Sequence, residues 1–160
     1  MSGDAAAKGR RILVDADACP VKDEVYRVAL RHGVPVTIVS NSPIRVPDHP
    51  LIGRMVVGEA FDAADDWIAE RAGPGAVVVT GDILLADRAL KAGAAALSPT
   101  GKPFTISSIG GAIATRAIMA DLRAGGDVVG GPAPFGKADR SRFLQALDEM
   151  LVRLGRADTA

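Results

Sequence analysis

The sequence predicts a single-domain, three-layer α/β fold with a mainly parallel sheet. Three observations point to it. Short apolar, β-branched runs alternate with stretches of helical periodicity, the pattern of strand–helix–strand units with right-handed crossovers. The runs lack the polar alternation of a half-exposed sheet, so they suit strands covered on both faces. The length of 160 residues fits one domain with a substantial core.

Taken in order, the predicted strands are 11–14, 34–39, 55–57, 76–80 and a weaker 94–97. Between them, Val21, Val25, Val28 and Ala29 form one helix stripe, and Phe61, Ala64, Ile68 and Ala72 a second. Leu85, Ala86 and Ala89 mark a third helix that ends near Gly93. Ser98-Pro99-Thr100-Gly101-Lys102-Pro103 reads as a turn leading into Phe104-Thr105-Ile106. Ser107 or Ser108 then caps a helix reaching about Arg123, with Gly110 and Gly111 weakening its start by roughly 1 kcal/mol each. Gly125-Gly126 stops that helix, and Gly130-Gly131-Pro132-Ala133-Pro134 is a loop. The last helix is amphipathic through Phe143, Leu147, Met150, Leu151 and Leu154. The expected domain therefore spans 11–154, between a disordered tail of residues 1–10 and a C-terminal tail of 155–160.

Composition excludes several classes. Nineteen basic and nineteen acidic residues give zero net charge, so any nucleic-acid-binding patch must be local. One cysteine excludes an internal disulfide framework and a cysteine zinc cluster. No run approaches the ~18 apolar residues of a membrane span, and no signal-peptide core precedes Arg11, so the cytoplasm is the expected compartment.

The chemistry concentrates where strands end. Ile12-Leu13-Val14 stops at Asp15-Ala16-Asp17-Ala18-Cys19-Pro20, and Pro20 opens a helix. Open α/β folds bind ligands at this carboxyl edge. Two neighbouring carboxylates repel, and a divalent cation compensates them; a helix cap would account for one acid but not both. Thr80-Gly81-Asp82 repeats the arrangement after Val77-Val78-Val79, with Asp87 five residues on. In Asp62-Ala63-Ala64-Asp65-Asp66, Asp65 lies roughly 40° from Phe61 on the helical wheel, inside the apolar stripe, while Asp66 points away. A carboxylate there is costly unless paired or bound to metal. The competing reading makes Asp62 a cap with Asp65 near the positive helix end. Together these acids suit one or two Mg²⁺ or Mn²⁺ ions. Two ions ~4 Å apart would serve in-line phosphodiester hydrolysis.

Asp15 to Lys22, Phe61 to Asp66, Gly130-Gly131-Pro132 and Asp139-Arg140 together resemble the YaiI/YqxD family of uncharacterised bacterial proteins, over nearly all of 11–154. That family is similar in fold to PIN-like nucleases, a Rossmann-like architecture, which implies an acidic metal site. Carried over by this resemblance, the site comprises Asp15, Asp17, Asp65 and Asp82, with Asp87 as a further metal ligand. Two departures stand out. Ser98-Pro99-Thr100-Gly101 replaces an Asn-Pro-Arg-Gly turn, so one phosphate contact is not carried over, and Leu84 replaces a proline.

The same acids support a rival. Asp15-x-Asp17, a second strand ending at Ser40, and Asp82 with Asp87 imitate haloacid-dehalogenase-type phosphatases, in which Asp15 is the nucleophile and Asp17 the general acid/base. No lysine lies between Ser40 and Asp82 to hold the phosphoryl group. A third reading is a non-catalytic metal- or nucleic-acid-binding module. In the nuclease reading RNA or another phosphodiester is the partner, and Lys22, Arg116 and Arg140 lead the cations for phosphate contacts, with Arg123 and Arg142 behind them. Cys19 is expected to be a partly buried, inert thiol rather than a nucleophile. His32 and His49 lack ligand spacing and belong on the surface, and Trp67 is expected to be partly buried off its helix's inward stripe.

Overall fold

The computed structural model describes residues 9–60, 62–124 and 135–159. Its strands are β1 (Arg11–Asp15), β2 (Val36–Ser40), β3 (Ile52–Val56), β4 (Ala76–Val79), β5 (Ala95–Leu97) and β6 (Pro103–Phe104). Its helices are α1 (Lys22–His32), α2 (Ala63–Arg71), α3 (Ile83–Lys91), α4 (Ile106–Ala124) and α5 (Lys137–Thr159), with a 3-10 turn at Ala16–Ala18. One sheet runs in the order β3-β2-β1-β4-β5-β6, parallel except for the β5–β6 pair. The three-layer, mainly parallel α/β expectation holds.

Strand alternation sorts the core into two layers. Ile12 and Val14 of β1, Val36 and Ile38 of β2, and Val77 and Val79 of β4 face α1 and α5, packing with Val25, Val28, Phe143, Leu147 and Leu151. Leu13, Val39 and Val78 face the other way, onto Ala64, Ile68, Leu85, Ala86, Ala89 and Ile109 of α2, α3 and α4. All four β4 residues are buried, as expected of a strand covered on both sides.

The chain builds outward from β1 to β2 and β3, then crosses to β4 on β1's other side. The strand order therefore reverses between β1 and β4, and a crevice opens outside their carboxyl ends.

Several boundaries differ from the sequence reading. The second strand starts at Val36 because Val34 N donates to Ala29 O, 2.9 Å, finishing the end of α1, where Gly33 sits at φ +66°. β3 begins at Ile52 rather than Met55; as an edge strand exposed at every position but Ile52, it tolerates Gly53 and Arg54, which hide it from an apolar scan. Thr105, not Ser107 or Ser108, caps α4: its Oγ1 accepts from Ser108 N, 3.1 Å, and Ser108 Oγ accepts from Thr105 N, 3.1 Å. Gly110 and Gly111 lie within this helix. The last helix continues beyond Leu154 to Thr159. Of the expected N-terminal tail, Arg10 is fastened, its Nη1 donating to Leu151 O at 2.9 Å. Residues 1–8, Phe61 and the glycine-rich stretch 125–134 lie outside the described residues. Among the described residues no helix is long and apolar enough to cross a membrane.

The Ser98–Gly101 turn seats directly on α5. Gly101 adopts φ +88°, and a Cβ there would stand 2.7 Å from the Arg142 backbone carbon. Left-handed strain of about 1–2 kcal/mol adds to overpacking of about 1–3 kcal/mol. Gly101→Ala is therefore expected to lose roughly 2–4 kcal/mol, read as a lowered denaturant midpoint with an unchanged slope.

Candidate functional site

Asp15 follows Val14 at the end of β1 and continues the Leu13 side of the strand, so it emerges between β1 and the α2–α3 layer. Register pairs Val14 with Val79, which puts Thr80 beside Asp15. Thr80, 1% exposed, donates its hydroxyl to Asp15 Oδ2 at 2.9 Å and accepts from Asp82 N at 2.9 Å. One hydroxyl thus ties the ends of both central strands together. Asp82 caps α3, its Oδ1 accepting from Leu84 N at 2.9 Å and Leu85 N at 3.4 Å. Capping commits one of the two Asp82 carboxylate oxygens.

Asp62 occupies the N-cap position of α2 without a side-chain cap bond, so the capping account fails there. Asp65, one turn in, is half-buried toward the same crevice. Asp15, Asp17, Asn41, Asp62, Asp65, Asp82, Leu84 and Arg88 line one cavity of about 450 Å³. Cavities of about 500 and 600 Å³ lie elsewhere, by the 43–54 loop and below Trp67, and neither gathers a carboxylate cluster.

The electrostatics of the cavity follow from crowding. Burial raises the Asp15 carboxyl, the Thr80 hydrogen bond opposes that, and Asp17 and Asp82 add to the rise. Asp65 is raised to about 6 by burial, then by Asp82, Asp15 and Asp62, with Arg88 opposing. Arg88 in turn donates to Asp66 Oδ1 at 2.9 Å, so the cavity's arginine is held at its rim. Among the described residues, no three His, Cys, Asp or Glu side chains form a ready-made metal-holding group.

Sequence reasoning named four of these acids and missed Asn41, Thr80 and Arg88. Strand alternation was the available signal: Thr80 follows Val78 as Asp15 follows Leu13. Asp87 is not among the residues lining the cavity and pairs instead with Lys91 at 2.9 Å. Lys22 donates to Cys19 O, 2.9 Å, and is not a cavity residue. Arg140 is likewise engaged elsewhere, donating to Pro20 O at 2.7 Å and Glu24 Oε1 at 3.2 Å. Arg116 lies on α4, with its side chain outside the described residues, as is that of Arg123. Arg142 pairs with Asp139 at 2.6 Å. Cys19 is buried, and burial raises its thiol, as expected of an inert cysteine. His32 is not a free surface residue: its Nε2 meets Asp148 Oδ1 at 2.7 Å. Trp67 is partly buried and carries the Arg71 guanidinium at 3.8 Å from its ring centroid.

Residues 13–153 match the family model described as "Uncharacterized BCR, YaiI/YqxD family". The chain belongs to the YaiI/YqxD family. A UPF0178 protein of Sphingopyxis alaskensis is 74% identical over 146 residues, covering 91% of this chain and 95% of the relative. The UPF0178 protein bll3966 of Bradyrhizobium diazoefficiens is 62% identical over 146 residues, 91% of this chain and 87% of its own. A UPF0178 protein of Nitrobacter winogradskyi is 59% identical over 150 residues, 94% and 96% respectively. No solved structure matches the chain.

The raised Asp65 carboxyl makes a stability prediction for the metal-free protein. Its folded pKa of about 6 exceeds the ordinary carboxylate value of 3.8, so the folded state binds the extra proton between these values. The contribution is fully present below pH ~4 and is lost as pH rises through ~6. Asp65→Asn should flatten that fall and make the variant more stable than the parent at pH 7.5. Thermal unfolding of both proteins from pH 4.5 to 7.5 checks this.

Proposed function

We propose that this cavity is a divalent-metal-dependent phosphodiesterase site acting on RNA or a related phosphodiester. One observation supports it above others: Asp15 with Asp17, Asp65 and Asp82 come from three separate segments to one cavity in which burial and mutual repulsion resist ionisation of Asp15 and Asp65. The PIN-like fold that the family resemblance implies agrees with this reading but carries no chemistry by itself.

The residues fit a hard cation by donor type. Carboxylate and amide oxygens are the ligands Mg²⁺ and Mn²⁺ prefer, and the carboxylates outnumber Arg88, which is already engaged by Asp66. When bound, such an ion would supply charge stabilisation to the phosphodiester and favour attack by water. The chain's own residues divide the remaining tasks. Asp15, oriented by Thr80, and Asp82, oriented by its cap, are the anchors. Asp65, half-buried in the cavity, suits acceptance of the attacking water's proton, with Asp17 orienting that water. Arg88 contacts the phosphate.

The phosphatase alternative has less support. Ser40 is 3% exposed and donates to Ser42 O instead of facing a phosphoryl group, and no lysine lines the cavity among the described residues.

Purified protein with Mn²⁺ and single-stranded RNA is expected to release shorter fragments. Asp82→Asn keeps a good cap residue while removing a charge, and should lower the rate by roughly a hundredfold or more. Turnover of p-nitrophenyl phosphate through an aspartyl-phosphate at Asp15 would establish the phosphatase instead. Metal binding without either activity would leave a binding module.

A further inference from the structure

Asp62 and Asp65, at the start of α2, line the acidic cavity, whereas Trp67, Glu70 and Arg71, toward its end, line a separate cavity of about 600 Å³. That volume is within the range of small-molecule sites. Its floor is the register pair Leu13 of β1 and Thr37 of β2, and Pro35 and Pro74, which precede β2 and β4, close it at the amino edge of the sheet. Space remains here because α2 buries no residue beyond Ile68, and Thr37 beneath it stays half-buried.

The walls are fixed in advance. Arg11 Nη1 donates to Gly9 O at 2.9 Å and Pro74 O at 3.1 Å, and its Nη2 donates to Arg71 O at 3.0 Å, which fastens the turn between α2 and β4. Arg71 Nη1 donates to Trp67 O at 3.0 Å while its guanidinium stacks on the indole. A cavity held this way costs little ordering to fill. Its charge is unbalanced. The bonds of Arg11 go to carbonyl oxygens and none to a carboxylate, and burial pulls this guanidinium below its ordinary pKa. A partly desolvated cation normally finds an anion. Glu70 stands 3.6 Å from Arg71 Nη1, but its side chain is 71% exposed, so two guanidiniums face one solvated carboxylate.

We infer that this cavity binds a small planar aromatic carboxylate, its ring among Trp67, Leu13 and the two prolines and its carboxylate on Arg11, with Arg71 at the mouth. The three carbonyl bonds leave part of the Arg11 donor set free for a charge-assisted pair, and indole and proline surfaces suit a flat ring. The site is independent of the chemistry proposed for the acidic cavity.

Trp67 is the single tryptophan of the chain, so one indole N–H resonance of the ¹⁵N-labelled full chain reports on this cavity. The parent is titrated with 1-naphthoate, with the neutral 1-naphthalenemethanol and with the non-aromatic anion octanoate. Naphthoate is expected to shift the Trp67 resonance saturably, with a Kd about tenfold below that of the alcohol, as a charged hydrogen bond predicts, and about threefold or more below that of octanoate. Thr37→Phe, which fills the floor, should weaken naphthoate at least about tenfold while unfolding cooperatively like the parent. Glu70→Gln, at an exposed position, should tighten naphthoate about threefold by removing the competing carboxylate. A folded parent whose Trp67 resonance none of the probes moves would overturn the site. Equal affinity for naphthoate and the alcohol would overturn the role of Arg11, and equal affinity for octanoate would overturn the aromatic ring. Undiminished binding in folded Thr37→Phe would place the ligand elsewhere and overturn the inference. If Thr37→Phe does not fold, unchanged or weaker binding in Glu70→Gln overturns it instead.

Discussion

The structure depends on β1 being hydrogen-bonded on both edges and covered on both faces. Ile12 and Val14 are fully buried in one layer and Leu13 is 4% exposed in the other, while β2 and β4 complete the ladder on either side. A strand so enclosed can end only where the layers open, at Asp15. The position of the first acid is thus set by packing, and the others are set relative to it. Thr80 is adjacent through register, Asp82 through its bond to Thr80, and Asp65 through the helix covering the same layer.

Much of the fold was legible because burial on two faces writes a plain sequence signal. Runs such as Val77-Val78-Val79 leave little choice. The edge strand was harder to read, since Arg54, Met55 and Val56 answer mostly to solvent. Helix starts were ambiguous where Thr105, Ser107 and Ser108 all offered hydroxyls, and only geometry selects Thr105. In the site, the acids were legible because charge at a strand end is unusual. Asn41 was not, because nothing in its residue type distinguishes a turn residue from a cavity residue, and Thr80 shows only through the strand register that sets it beside Asp15.

The cations show the limit most clearly. Arginines and lysines near the acid motifs in sequence looked suited to phosphate, yet Lys22 and Arg140 are spent on backbone carbonyls around Cys19 and Pro20. Arg88 reaches the cavity from the far end of α3 and meets Asp66 from a different helix, a pairing 22 positions apart. Long side chains are assigned by the topology of neighbouring helices, which local sequence does not encode.

The fastening of α5 bears on how the protein is made. Phe143, Leu147 and Leu151 complete the layer beneath α1, while Arg10, His32 and Glu24 are joined to Leu151, Asp148 and Arg140, more than a hundred residues away. Pairings of such separation close late, after the loop between them has been ordered. On the ribosome, β1 and α1 emerge first but keep an apolar face uncovered until residues 143–151 arrive. For most of its synthesis, then, the nascent chain presents a surface of the kind chaperones recognise, and the final helix withdraws it.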